Sequence, residues 1–449
     1  MNDFVEGRLE SGEAKSPKGL LERYFRLSDN NTTVGSEAMG GLANFMTLAY
    51  VIIVHPLILS NAGMDQAALT TTTIIAMVVV TAACGLYAKM PFVLAPGMGA
   101  NGFFAFSIVG AGLATWQGAL AVNFISGVIF IVITALGIRR FMVNIMLAGM
   151  KFALAPLIGL FLCLLGLMNM GILEHGRRSM VLGDIHTPAA VVAGIAFITI
   201  LFFQARKSKG AIVYGILLAT AVGVPLGVTT VPDSLIGLPS SIAPISFQLD
   251  LKEAMNLAFI PLIFAFFVSD FFGTTATLYA VGGKMGKLDE KGEFEEADKV
   301  FMVDAVGTTA GTLIGTSTIT TYAESAAGVE AGGRTGLTAI FTALIFSVML
   351  LFTPIALMVP AAAAGAALFL VGASMLTTLE GMKFDDPTEF LPAIISVIMT
   401  AFTFNIATGL SVGIILAAAM KLFAGRGREV HWFLYVMCVP LVYYLLTLA

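Results

Sequence analysis

Four carboxylates stand out as candidates among the apolar runs of this chain: Asp270, Asp304, Glu324 and Glu330. An ionisable group in hydrocarbon is costly, so an acid found there is read first as part of a solute or ion path. Asp270 stands mid-run in Phe266-Phe267-Val268-Ser269-Asp270-Phe271-Phe272-Gly273-Thr274-Thr275-Ala276-Thr277. At helical spacing Asp270, Thr274 and Thr277 share one face with Gly273 beside them, a narrow polar stripe suited to a solute. Glu324 opens the short helix expected after Tyr322-Ala323. A carboxylate there either caps the helix or accepts bonds from a solute. With Thr321, Ser325 and backbone donors around it, the hydrogen-bonding site is the better reading. Asp304 shares a face with Thr308, Gly311 and Gly315, which fits either a proton-carrying group or a packing seam. Glu330 precedes Arg334 at i,i+4 spacing, and an ion pair at the membrane edge is its expected role.

Asn101 is the amide of a second unusual stretch, Leu94-Ala95-Pro96-Gly97-Met98-Gly99-Ala100-Asn101-Gly102-Phe103-Phe104-Ala105-Phe106. Its carbonyl and NH2 can both bond a planar ring that carries donors and acceptors. Phe103, or a neighbouring Phe, is placed either to stack on a heterocycle or to pack in the core. The glycines Gly97, Gly99 and Gly102 permit close backbone approach. His55 precedes Pro56 and is expected as the neighbour of a helix kink.

The elements that position these residues are membrane spans. Of 449 residues 58% are hydrophobic and 12% charged, against about 25% charged in an ordinary soluble domain. The composition is that of an all-α polytopic membrane protein. A net charge of -4, thinly spread, gives no sign of a nucleic-acid partner. Cys84, Cys163 and Cys438 lie far apart in apolar runs. They suit small buried hydrophobes, with no metal or disulfide spacing. No cofactor motif is present.

Runs long enough to span, at roughly 20 apolar residues each, are expected near 38–60, 70–89, 117–137, 150–170, 188–204 and 211–229, then 258–283, 299–316, 335–358, 361–380, 389–403 and 406–423. Two further runs, 100–114 and 322–331, are too short. Each begins in a Pro/Gly- or Thr-rich broken segment, Leu94 to Phe106 and Gly315 to Gly328, and fits a half-helix preceded by extended backbone. Broken backbone must be buried in protein or face a water-filled cavity. Breaks at corresponding places in two halves point to the substrate site of a secondary transporter. Each half then holds seven elements with the third broken, and an odd number inverts the second copy relative to the first.

The expected organisation is a tail over 1–34, a first repeat over 35–229, a connecting segment over 230–257, a second repeat over 258–424, and an added apolar segment over 430–449. That last segment is either a further span or an interfacial helix. The polar N-terminus has no apolar h-region, so no cleavable signal peptide is expected. Arg8, Lys15, Lys18, Arg23, Arg26, Arg139, Arg140, Arg206, Lys207, Lys209, Lys284, Lys287, Lys291, Lys421, Arg426 and Arg428 all fall on one side if the N-terminus is cytoplasmic. Arg177 and Arg178 are the exception. The expected location is the cell membrane.

The first broken stretch resembles the APGMGxNAFFAF motif of AzgA-like purine permeases, within the nucleobase–cation (nucleobase–ascorbate) symporters of the xanthine/uracil permease superfamily. Asn101 keeps the motif Asn, while Ala100 and Gly102 replace its usual Leu and Ala. Similar stretches include Leu20-Leu21-Glu22-Arg23-Tyr24-Phe25, Gly315-Thr316-Ser317-Thr318 through Tyr322-Ala323-Glu324-Ser325, Gly333 to Ala339, and Ile406-Ala407-Thr408-Gly409 on to Glu429-Val430-His431.

The resemblance implies fourteen spans in two inverted seven-span repeats forming core and gate domains, with spans three and ten broken. It implies a purine base bound between the third, eighth and tenth spans. With the residues read above, the expected substrate set is Asn101, Phe103, Asp270, Gly273, Thr274, Tyr322, Ala323, Glu324 and Ser325, with proton coupling by Asp270, Glu324 and Asp304. Glu324 matches the tenth-span acid directly. The eighth-span motif FFDTxGTL departs: its Asp is Gly273 and its Gly is Ala276, with Asp270 one turn earlier. The Asn of the first-span Asn-Pro is His55 here.

The expected function is uptake of a purine base, hypoxanthine or guanine over adenine, coupled to H+. Its partners are the base, H+ and the bilayer, and a homodimer is compatible with it. An anion exchanger or channel-like carrier on the same kind of fold is the alternative, opposed by two acids that repel an anion. No GxxxxGK[ST], HExxH or GxSxG motif is present, which disfavours ATP-driven transport and an embedded enzyme.

Overall fold

The computed structural model describes residues 19–137, 147–175, 180–256, 259–288, 294, 296–382 and 384–447. Among the basic residues used above for orientation, Arg8, Lys15, Lys18, Arg139, Arg140, Arg177, Arg178 and Lys291 lie outside the described residues. The chain is a multi-pass membrane protein. Among the described residues nine helices are long and apolar enough to cross a bilayer.

In chain order the elements that build the site and its surroundings are α1 (Val34–Ser60), α2 (Gln66–Ala88), β1 (Leu94–Pro96), α3 (Met98–Val109), α4 (Trp116–Ala135), α5 (Ala148–Asn169), α6 (Pro188–Ala205) and α7 (Ala211–Gly223). Then come α8 (Ile260–Lys284), α9 (Ala297–Leu313), β2 (Ile319–Thr321), α10 (Ser325–Glu330), α11 (Gly336–Leu357), α12 (Ala361–Gly381), α13 (Pro387–Thr403), α14 (Ile406–Phe423) and α15 (Trp432–Thr447). These helices overlap each expected apolar run.

The helices fall into two packed groups. In one, α4 packs on α9 and α8, and α11 on α1 and α2; in the other, α12 packs on α5 and α6, α13 on α14 and α5, and α7 on α6. Small residues set the spacing in the second group. A Cβ on Gly159 of α5 would stand 2.5 Å from the Gly372 carbonyl oxygen of α12, so the two backbones touch there. Such close approach is how helices associate in lipid, where no hydrophobic force drives them together.

The two breaks meet at the centre. β1 pairs antiparallel with β2, Leu94 opposite Thr321, Ala95 opposite Thr320 and Pro96 opposite Ile319. Beyond the strands the ladder continues: Gly97 N donates to Thr318 O at 2.9 Å and Tyr322 N to Val93 O at 3.1 Å. Hydroxyls of neighbouring helices take the remaining amides. Leu94 N donates to Thr81 Oγ1 (3.1 Å), Ile319 N to Thr308 Oγ1 (3.1 Å) and Val93 N to Ser325 Oγ (3.0 Å). Pairing and hydroxyls together meet the requirement that membrane-depth backbone be satisfied internally.

The end of α10 departs from expectation. Glu330 does not pair with Arg334: its Oε1 meets Lys284 Nζ at 2.5 Å. Arg334 Nη1 instead donates to the carbonyls of Val329 (2.5 Å) and Gly333 (2.8 Å). The helix ends at Glu330 and Gly332, at φ 104°, reverses the chain. Arg334 is therefore not one turn further along the same face, and caps the last carbonyls.

Candidate functional site

A cavity of about 640 Å³ lies between the two helix groups, walled by α1, the starts of α3 and α10, α5, α8 and α12. Its polar wall holds Tyr50, Asp270, Gly273, Thr320, Tyr322 and Glu324. Ile158 of α5 with Val371 and Met375 of α12 form the apolar wall opposite. A volume of about 300–1,000 Å³ lined by apolar groups with a few convergent polar ones is the form of a small-molecule site.

Each acid has a local reason for its position. Asp270 is carried by the mid-length of α8 and is 5% exposed. Its Oδ2 accepts from Thr308 Oγ1 of α9 at 3.0 Å, and its Oδ1 has no hydrogen-bond partner. Glu324 precedes the first turn of α10, half-buried, and accepts from the Tyr50 hydroxyl at 3.3 Å. Tyr50 stands where α1 changes from its Val34–Leu48 segment to its Val51–Ser60 segment. Tyr322 donates its hydroxyl proton to Pro96 O at 2.5 Å, fastening the second break to the first. Ala323 lies beside it, exposed to the cavity.

Other expected site residues stand behind the wall. Thr274 is wholly buried and donates to Asp304 Oδ2. The polar stripe on α8 that faces the cavity therefore runs through Asp270, Gly273 and Thr277, with Thr274 turned toward α9. Asp304 is itself wholly buried on α9, away from the cavity surface. Asn101 is buried and accepts through Oδ1 from Ser317 Oγ. Phe103 packs on Phe266 with ring centroids 4.8 Å apart, and Ser325 supports the β1 backbone. His55 Nε2 shares a 2.8 Å hydrogen bond with Thr316 Oγ1, so it ties α1 to the second break besides preceding Pro56.

The chemistry available is acceptor chemistry. Two carboxylates and the strand-pair backbone face a space large enough for a heterocycle, and Gly273 leaves its part of the wall open. A Cβ there would meet only Thr320 Oγ1, at 4.0 Å. Tyr50 was missed from sequence, because an aromatic in an apolar run looks like any core residue. The one available signal is its place at the irregular stretch of α1.

A family model described as a permease family, that of the xanthine/uracil permeases, matches residues 35–412. The chain belongs to the xanthine/uracil permease family. Within it the chain is AzgA-like. It is 41% identical over 421 residues to a permease of Methanocaldococcus jannaschii, covering 94% of this chain and 97% of that one. It is 33% identical to the adenine permease AdeQ of Escherichia coli, covering 94% of each. It is 32% identical to the guanine/hypoxanthine permease PbuG of Bacillus subtilis, covering 95% of this chain and 100% of that one.

Among solved structures the permease resembles the transmembrane domain of a cyanobacterial bicarbonate transporter, BicA, with TM-score 0.62 and 15% identity over 84% of this chain and 97% of that one. It also resembles the murine anion transporter Slc26a9, with TM-score 0.63 and 12% identity over 94% and 77%. At these identities the likeness establishes the inverted-repeat fold and nothing of the solute. The family and these relatives make this chain a permease, not an enzyme.

Proposed function

We propose that this permease imports a purine base by proton symport, with the base held in the central cavity between Glu324 and Asp270. The observation that carries the reading is the placement of both carboxylates in one wall, beside two paired strand breaks. Glu324 takes one bond from Tyr50, and a carboxylate has lone pairs left for a ring N–H of the base. Asp270 lines the same wall, and its buried Oδ1 has no hydrogen-bond partner. Acceptors of this kind suit the ring N–H groups of hypoxanthine and guanine, and the oxopurines are the favoured substrates. Adenine is the second reading, favoured by the likeness to AdeQ.

Asp270, Glu324 and Asp304 are the groups proposed to carry the coupled proton. The chain is further proposed to sit with its N-terminus in the cytoplasm and to divide into repeats over 35–229 and 258–424. Uptake of labelled hypoxanthine, guanine and adenine by expressing cells, with and without an uncoupler, tests the proposal. Uptake of at least one base, abolished by the uncoupler, is expected. No uptake of any base overturns the substrate, and uptake indifferent to the uncoupler overturns the coupling. Competition by each unlabelled base ranks the purines.

A further inference from the structure

Asp304 poses a problem that the site alone does not solve. It is wholly buried behind the cavity, yet its Oδ1 has no partner. A proton-carrying acid there needs a route, since a charge in that setting is far too costly to remain uncompensated. The hydroxyls around β2 supply one. Thr274 Oγ1 donates to Asp304 Oδ2, and Thr320 Oγ1 lies 3.0 Å from Thr274 Oγ1. Thr320 lines the cavity in the same wall as Asp270. Its single proton can serve only one neighbour at a time.

We propose that Thr320 and Thr274 form a hydroxyl chain that carries a proton between Asp270 at the cavity wall and Asp304 behind it. The inference rests on the proton-coupled reading above. In the transfer, protonated Asp270 gives its proton to Thr320 Oγ1, Thr320 passes its own to Thr274 Oγ1, and Thr274 passes its own to Asp304 Oδ2. One O–H bond breaks and one forms at each hydroxyl. Both threonines end neutral with their protons redirected, and the net change is one proton moved from Asp270 to Asp304.

The hydroxyl that bonds Asp270 directly, that of Thr308, also meets the β2 backbone: it accepts from Ile319 N and stands 2.8 Å from Ile319 O. It holds β2 against α9 and leads no further toward Asp304. The other titratable groups around the chain are Cys84 of α2 beside Asp304, and Glu324 with Tyr50 and Tyr322 on the cavity side. The chain thus places Asp304 in contact with the cavity without exposing it to lipid or solvent. Thr320 is in this scheme a relay and positioning residue.

Purified full-length protein in liposomes tests it, with labelled hypoxanthine as the probe, or whichever base wild type accumulates. Accumulation driven by an imposed pH gradient and equilibrium binding of the base are read for wild type, Thr320→Val and Thr320→Ser. Whatever affinity the loss of a wall hydroxyl costs, Thr320→Val should lose gradient-driven accumulation at least tenfold more than it loses binding, and Thr320→Ser should restore it. Wild-type accumulation by Thr320→Val overturns the relay. So does lost binding that Ser does not restore, which would make Thr320 a binding residue. If Thr320→Val fails to fold, Thr274→Val carries the same test, and wild-type accumulation by that variant overturns the relay equally. A wild-type protein that binds base but ignores the pH gradient marks failure of the coupling reading itself.

Discussion

A carboxylate accepting an N–H bond in a water-poor cavity binds its donor more tightly than a neutral amide does. Glu324→Gln is therefore expected to weaken base binding by about 1.5–3 kcal/mol, roughly ten- to hundredfold, with insertion unchanged. Isothermal binding of the base to purified protein checks it. Tyr50→Phe removes the one hydroxyl that donates to Glu324 from α1. The acid is then less restrained, and we expect weaker binding by about threefold to tenfold, on the scale of one neutral hydrogen bond. Unchanged affinity would show that the 3.3 Å contact holds nothing in place. Asp270→Asn should weaken base binding and abolish accumulation altogether, since an amide cannot take up the proton. Normal accumulation would leave Asp270 as a brace between α8 and α9. Gly273→Asp has room to be accommodated, because only Thr320 faces that position. It tests whether the acid of the family motif can be restored beside Asp270.

At the scale of elements, the half-helix α3 works because it lies flush against α5. A Cβ on Gly99 would stand 2.2 Å from Ile158 Cγ2, across the cavity boundary between the two helix groups. Gly99→Val should abolish transport by wedging α3 away from α5, and Ile158→Ala in the same chain should recover part of it; uptake at matched expression reads both. A second junction is made by Glu37 of α1, which is wholly buried. Its carboxylate accepts from the amides of Arg334, Thr335 and Thr338 and from the Thr338 hydroxyl, at 2.6–3.3 Å. It closes the N-terminus of α11, whose first amides have no partner within the helix. Glu37→Ala leaves several buried donors unpaired, at about 1–3 kcal/mol each. The expected result is a clear fall in melting temperature, with Glu37→Gln intermediate.

Across the whole molecule, one charge cluster ties α5, α13 and α14 together. Lys421 Nζ, 1% exposed, meets Glu389 at 2.7 Å and Glu429 at 2.8 Å, and Arg426 bonds Asp386 and Glu429 at 2.7 Å. Glu389 also accepts from Gly149 N, at the start of α5, at 2.6 Å. Hydrogen bonds from Arg426, and next from Lys421, hold the Glu429 carboxyl down to about 2. Thr388 first, then Arg426, hold Asp386 below its usual range. Both folded values lie below the unfolded ones, near 4. Their stabilisation is therefore fully present above about pH 4 and is lost as pH falls through the folded values. Thermal unfolding in detergent should be insensitive to this cluster from pH 8 to 5 and decline below about pH 4. Glu429→Gln should flatten that decline, and an unaltered acid profile would contradict the assignment.

Hydrophobic run length and punctuation are local properties, so the chain order of the helices, the broken segments within Leu94–Phe106 and Gly315–Gly328 and the candidacy of Asp270 and Glu324 were all readable along the sequence. A membrane makes that reading strong, because an interrupted helix or an acid in hydrocarbon needs a reason wherever it occurs. What the sequence left open depended on which way a side chain turns, and on which distant segment it meets. Helical spacing put Thr274 on the stripe with Asp270 and Thr277, but the short bond to Asp304 draws it behind the wall. Glu330 looked paired to Arg334, yet the reversal at Gly332 gives it Lys284. Asn101 and Ser325 had the right chemistry for a solute and are occupied by Ser317 and the Val93 amide. Tyr50 entered the site, and Glu37 the end of α11, only because α1 folds against elements more than 250 residues away. Local pattern fixes which groups need partners in the membrane; only packing across the two halves of the chain decides which partner each one gets.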